Sequence, residues 1–415
     1  MRRCWLVLVS ALLTAVAAIA ADNWPQFRGP SGAGHSDSTG LPVKWGEKEN
    51  VVWKTAIHDK GWSSPVVWGN QVWLTTAKAD GKEMFAVCVD RNTGTILHDI
   101  KLWDMDKPEP LGNPVNSYAS PSPVIEDGRV YITFGTYGTV CLDTTNGKRL
   151  WERRDLHCDH FRGPASSPIL CGDLLIINFD GIDMQYVVAL DKKNGETVWK
   201  KERNIDYKGV IGDLRKGYGT PSLITVKDKQ QLISPSAVAT IAYDPKTGDE
   251  LWKVYHGGMN TAAPPLYADG KLFIANGMGA LVAVRADGSG DVTKTHLEWT
   301  CKKGVPTRIS PLVVEDKLYM VNEAGLLTCL STKDGTQLWT ERLGDKFCSS
   351  PIYADGKFYV FSEDGKGIVG EVTKGWKQLA VNELDDGCMA TPAVAGKSLF
   401  VRTKTHLYRI EVRSP

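Results

Sequence analysis

Ala189-Leu190-Asp191-Lys192-Lys193-Asn194-Gly195-Glu196-Thr197-Val198-Trp199 decides the fold, because its frame returns along the chain. Ala242 to Trp252 repeats it with Asp244 and Thr247-Gly248, and Cys141 to Trp151 repeats it with Asp143 and Asn146-Gly147. Cys329 to Trp339 keeps the frame with Ser331 in place of the Asp. The pattern reads as strand, tight turn, strand, since an Asn-Gly or Thr-Gly pair tolerates the positive φ of a hairpin. The small first residue leaves room for an indole, so each Trp is expected to pack between neighbouring sheets. The copies are imperfect. The run Ala86 to Gly94 leads to His98 where Trp is expected, and the copy from Ala283 to Gly288 carries an insertion before Trp299. In the seventh repeat Trp376 is only roughly in place.

Upstream of each motif lies a Ser/Thr-Pro-like start, at Pro65, Pro123, Pro168, Pro221, Pro265, Pro311, Pro351 and Pro392. Their mean spacing of about 47 residues is the size of a propeller blade. Each start leads through a short apolar run and a turn such as Asp127-Gly128 or Asp269-Gly270 to a second run, as in Val130-Tyr131-Ile132. The last repeat has room for three strands, and Val51-Val52-Trp53-Lys54 reads like Val198-Trp199-Lys200. An N-terminal strand completing the last blade closes a ring and removes sheet edges. The expected fold is all-β: an eight-bladed β-propeller of four-stranded antiparallel blades over residues 50–415, preceded by an extension over 21–49.

Residues 1–20 read as a signal peptide. Arg2-Arg3 precede the apolar run Trp5 to Ala20, which ends in the small-x-small Ala18-Ile19-Ala20. The mature product is expected in the periplasm or secreted, with no later membrane span. With 49 Lys and Arg against 48 Asp and Glu, composition excludes a polyanion binder and gives no reason to expect a nucleic-acid partner.

Cys88, Cys141 and Cys329 occupy the slot filled by Ala189 and Ala242, and read as small buried hydrophobes. Cys348 and Cys388 precede adjacent Pro starts by three and four residues and form the disulfide candidate. The cluster His157-Cys158-Asp159-His160 lacks a second cluster at finger-like spacing, so it reads as a polar loop and no metal site is assigned. The connections before the Pro starts carry Trp62, Tyr118, Arg162, Tyr218, Asn260 and Arg308, which are expected to ring the channel mouth. Tyr118-Ala-Ser-Pro121 matches Tyr218-Gly-Thr-Pro221 in this reading. The long connections 104–118 and 203–218 add partner loops to the same face.

The repeat resembles that of the PQQ-like propellers, found in quinoprotein alcohol dehydrogenases and in the assembly lipoprotein BamB, over nearly all of residues 50–411. Asn23 to Pro30 resembles the lead-in of secreted PQQ-like propeller proteins of planctomycete-type bacteria. A dehydrogenase of this kind implies PQQ on an aromatic surface with Arg or Lys counter-charges, Ca²⁺ held by Asp, Glu and Asn oxygens, and a carboxylate base. It also implies a disulfide between sequence-adjacent cysteines. The chain has neither a Cys-Cys pair nor a Cys-x-x-Cys-His haem motif. The resemblance therefore implies first an exported, non-catalytic scaffold binding an envelope protein or small ligand at the channel mouth. The alternative is a PQQ-dependent alcohol or sugar dehydrogenase, or a quinone-binding sensor, with Arg162, Arg308 and Trp62 as counter-charges and stacking surface. The fold hosts enzymes and non-enzymes alike.

Overall fold

A computed structural model describes residues 22–112 and 114–413; the signal peptide expected over 1–20 lies outside the described residues. Eight antiparallel sheets follow one another along the chain. Blade one comprises Val66–Trp68, Gln71–Ala77, Glu83–Asp90 and Ile96–Asp104, from the inside outward. Blades two to seven repeat that order from the inner strands Val124–Glu126, Ile169–Cys171, Ser222–Val226, Leu266–Ala268, Leu312–Val314 and Ile352–Ala354. Blade eight takes Ala393–Ala395, Ser398–Arg402 and His406–Ile410, and its outer strand is Val51–Ala56, with Trp53 opposite Arg409. The apolar core is divided into slabs between blades. One slab joins Trp73 and Cys88 of blade one to Ile125, Val130 and Val140 of blade two.

The repeat motif explains how these slabs lock. The small residue pairs with its Trp across the two outer strands, Ala189 with Trp199 and Cys329 with Trp339, and the register shifts directly after it. That bulge turns the indole toward the next blade. There Nε1 of Trp53, Trp151, Trp199 and Trp299 donates to the carbonyls of Arg91, Lys192, Pro245 and Thr332, at 2.9, 3.0, 3.0 and 3.3 Å. The indole of Trp151 lies on the hairpin glycine of the next blade: a Cβ on Gly195, at φ +76°, would fall 2.6 Å from the ring. The motif Asp stabilises the same turn, Asp191 Oδ1 accepting from the Lys193 amide at 2.7 Å. Cys88, Cys141 and Cys329 are fully buried in the small-residue slot. The insertion in blade five extends its neighbour, Gly290–Asp291 pairing in parallel with Trp252 and Lys253 of blade four.

The N-terminal extension crosses the ring. Trp24 exchanges both backbone hydrogen bonds with Val67 of blade one at 2.8 Å, and the Pro25 carbonyl accepts from Ile125 of blade two. Four residues on, the fully buried Arg28 guanidinium donates to the carbonyls of Pro311 and Pro351, at the starts of the inner strands of blades six and seven. His35–Ser36 then runs parallel to Ile352–Ala354. The segment thus spans the channel from one side of the ring to the other.

Candidate functional site

The Pro that opens each inner strand sets the frame of the channel wall. The residue before it is Ser64, Ser122, Ser167, Thr220, Pro264, Ser310, Ser350 and Thr391 in blades one to eight. Strands converge there too closely for every amide to find a strand partner, so the next blade's hydroxyl accepts it. Ser64 N–H donates to Ser122 Oγ at 2.9 Å, Ser122 to Ser167 Oγ at 2.9 Å, and Ser167 to Thr220 Oγ1 at 3.0 Å. Ser310 donates to Ser350 Oγ, Ser350 to Thr391 Oγ1 and Thr391 to Ser64 Oγ, at 3.0 to 3.1 Å. The girdle opens at blade five, where Pro264 offers neither an N–H nor a hydroxyl.

Two residues earlier, each blade contributes one side of a cup of about 380 Å³: Trp62, Ser120, Ala165, Tyr218, Ala262, Arg308, Cys348 and Met389. Asn116, Arg162 and Asn260 join the lining from the loops, and Phe27 of the N-terminal crossing joins it beside Arg28. Five of the six residues expected at the mouth (Trp62, Arg162, Tyr218, Asn260 and Arg308) line this cup together. Tyr118 does not. It is buried, its ring against Gly81 and 5.8 Å from that of Tyr137, with Oη donating to the Glu109 carbonyl at 2.6 Å. The match to Tyr218 counts from Pro121, whereas the strand of blade two opens after Pro123, with Val124 paired to Tyr131. The frame is two residues off, and Ser120 holds the position.

The expected disulfide is corrected too, since Cys348 and Cys388 are both free thiols. Cys348 stands in the cup wall, while Cys388 precedes the wall residue Met389 and is buried in the core shared by blades seven, eight and one. Burial pushes the Cys348 thiol up to about 11 despite the nearby Arg308. Sequence reasoning missed Phe27, Asn116 and Met389, and missed Cys348 as a wall residue. Counting three residues back from the strand-opening Pro in every repeat would have found the last two.

Around the His157-Cys158-Asp159-His160 loop, side chains turn to protein partners. The buried His160 accepts from the Thr136 amide through Nε2 at 3.1 Å, and burial pulls its pKa down to about 4. Among the described residues no group of three or more His, Cys, Asp or Glu side chains is placed to hold a metal ion.

The charge of the cup's lining is one-sided. None of the described lining residues is Asp or Glu. Arg162 pairs through Nη2 with Asp213 at 3.1 Å, and the same carboxylate pairs with the buried Lys216 ammonium, which lies 5.5 Å from the Tyr218 ring centre. Glu323 Oε1 accepts from the Thr307 and Arg308 amides at 2.9 Å, presenting Arg308 at the mouth. Behind the wall, the buried Arg402 donates to the Ser63 carbonyl at 3.0 Å. Burial pulls the Arg28 and Arg402 guanidiniums down to about 9, which leaves both charged at neutral pH. Arg162 Nε, Tyr218 Oη and Asn260 Oδ1 are buried without a hydrogen-bond partner. Such groups are costly unless a bound molecule or water meets them. The arrangement can hold a small anion through cations and hydroxyls, against aromatic surface.

Known proteins share this fold. Over 147 residues, 31% of this chain, it is 34% identical to the quinoprotein ethanol dehydrogenase of Pseudomonas putida, and the match spans 22% of that protein. Over 254 residues, 56% of this chain, it is 26% identical to the outer membrane protein assembly factor BamB of Shewanella oneidensis, spanning 59% of that protein. The chain therefore covers less than two thirds of either relative. The crystal structure of BamB from Moraxella catarrhalis superposes with a TM-score of 0.62 at 13% identity, covering 88% of this chain and 98% of that one. The quinohemoprotein alcohol dehydrogenase of Comamonas testosteroni gives 0.67 at 11%, covering 97% and 83%. The family described as outer membrane protein assembly factor BamB matches residues 101–201 and 298–414, together more than half of the sequence, and the chain belongs to this family of PQQ-like β-propellers.

Proposed function

We propose that this protein is a non-catalytic propeller of the cell envelope that captures an anionic group, of a free ligand or of a partner protein, in the cup. The observation that carries this reading is the lining itself: Arg162 and Arg308 beside Trp62, Tyr218 and a girdle of hydroxyls, with no carboxylate among the described lining residues. An envelope address accords with the expected signal peptide and with the printed name of the BamB relative.

The quinone enzymes among the relatives make PQQ with Ca²⁺ the cofactor to test against this site. Arginines and aromatic rings suit a flat anion. Ca²⁺ prefers several oxygen ligands, carboxylates foremost, and alcohol oxidation needs a base. The described lining supplies no carboxylate for either task, so the pair does not fit, and no step is routed through it.

Dye-linked alcohol oxidation with PQQ and Ca²⁺ tests the absence of catalysis; turnover would overturn the reading. Envelope extract passed over immobilised wild-type protein and over Arg308→Met separates the two sources of the anion. A protein held only by the wild type indicates a partner's acidic group. A small molecule released on denaturation, again only from the wild type, indicates a free ligand. Recovery of neither would count against the proposal.

A further inference from the structure

On the side of blades four and five, the cup wall is formed by Tyr218, Asn260 and Gly277. Their chain neighbours open outward. The connection after blade three and the turns at Gly257–Met259 and Met278 enclose a second concavity of about 550 Å³, lined by Tyr207, Val210, Leu214, Val238, Met259 and Met278. Three large apolar side chains around it are left in solvent: Ile211 at 73% exposure, Met278 at 57% and Leu214 at 45%. Single exposed hydrophobics are ordinary, but a group of them about a concavity marks a contact surface. The methionines add a surface that re-packs around what it meets.

The rim supplies a sign of charge. Lys208 lies on the groove, Arg215 stacks on Tyr207 with 5.0 Å to the ring centre, and Lys302 lines the adjoining depression that shares Met278 and Tyr255. Among the described lining residues of the groove the one carboxylate, Asp206, is turned into its own loop, accepting from the Lys208 amide at 2.9 Å. The groove is thus apolar at its floor, basic at its rim and continuous with a cup that is itself basic.

We propose that this groove docks a short amphipathic segment of a partner protein, aliphatic on the face that enters and acidic on the face toward Lys208, Arg215 and Lys302. The inference rests on the reading of this face as the binding face, and names the chemistry of what binds beside the cup. A bilayer would be met by a convex apolar surface flanked by cations; a concavity between two loops fits a segment instead.

Fluorescence anisotropy with a fluorescein-labelled synthetic 14-residue peptide, Leu along one helical face and Glu elsewhere, tests it. Controls replace Glu with Lys or Leu with Ser. The double variant Leu214→Glu plus Met278→Glu is compared with the wild type, and Ile211→Glu serves as a second variant because that side chain is the most exposed of the three. The wild type should bind the Leu/Glu peptide, with both controls and the double variant weaker by about tenfold or more. Raised salt should weaken binding further. Absence of wild-type binding, equal binding by the double variant, or binding only to phosphatidylglycerol vesicles would each overturn the proposal. Thermal unfolding of the same proteins with citrate and no peptide reports on the cup independently. A citrate response without peptide binding sinks the groove alone, and peptide binding without a citrate response sinks the cup alone.

Discussion

At Gly195 one side chain decides whether two blades can meet. The residue has φ +76°, and any Cβ would enter the Trp151 indole. Gly195→Ala is therefore expected to destabilise by about 1–3 kcal/mol through overpacking, with backbone strain added. Removing the other half of such a lock, as in Trp199→Ala, should cost about 3–5 kcal/mol. Urea denaturation reads both; a loss under about 0.5 kcal/mol for either would refute the lock. His160 adds a pH dependence. Burial holds its imidazole neutral, with Nε2 accepting the Thr136 amide. In the unfolded chain it charges below about pH 6.5. The unfolded state then binds the extra proton, so stability falls as pH drops from 6.5 toward 4. The loss reaches about 3 kcal/mol at about 1.36 kcal/mol per unit. His160→Gln should lose less over that window, as measured by denaturation at a series of pH values.

Between residue and ring lies the hydroxyl girdle. Ser122 accepts the Ser64 amide and donates its own to Ser167, so Ser122→Ala leaves a buried N–H without an acceptor. The expected cost is about 1–3 kcal/mol, read by urea denaturation; an unchanged midpoint would mean the girdle is not stabilising. At this scale the sequence was readable wherever the signal is local. Asp, Gly and Trp of one hairpin sit within ten residues, and their turn chemistry is visible without the fold. Frames set by strand pairing were not. Ser120-Pro121-Ser122-Pro123 contains two starts, and only the register of Val124 against Tyr131 shows which one opens the strand. For the same reason Cys348 and Cys388, one residue apart in frame, looked like equivalent entrances.

For the whole molecule, the N-terminal crossing and the cup belong together. Arg28 reaches carbonyls more than 280 residues away, at Pro311 and Pro351. No periodicity announces such a contact, and its consequence, a channel with Phe27 in its lining, was not legible in the sequence. The overall charge balance also hid the site, because one basic cup disappears within a nearly neutral total. The most direct measurement is thermal unfolding of the protein with citrate, with PQQ, with Ca²⁺ and with PQQ plus Ca²⁺, on the wild type and on Arg308→Met. A ligand bound only by the native state at 100 times its dissociation constant stabilises by about 2.7 kcal/mol. The account predicts a saturable upward shift with an anion alone, indifferent to Ca²⁺ and lost in Arg308→Met. A shift that requires PQQ and Ca²⁺ together, or no shift with any anion, would contradict it.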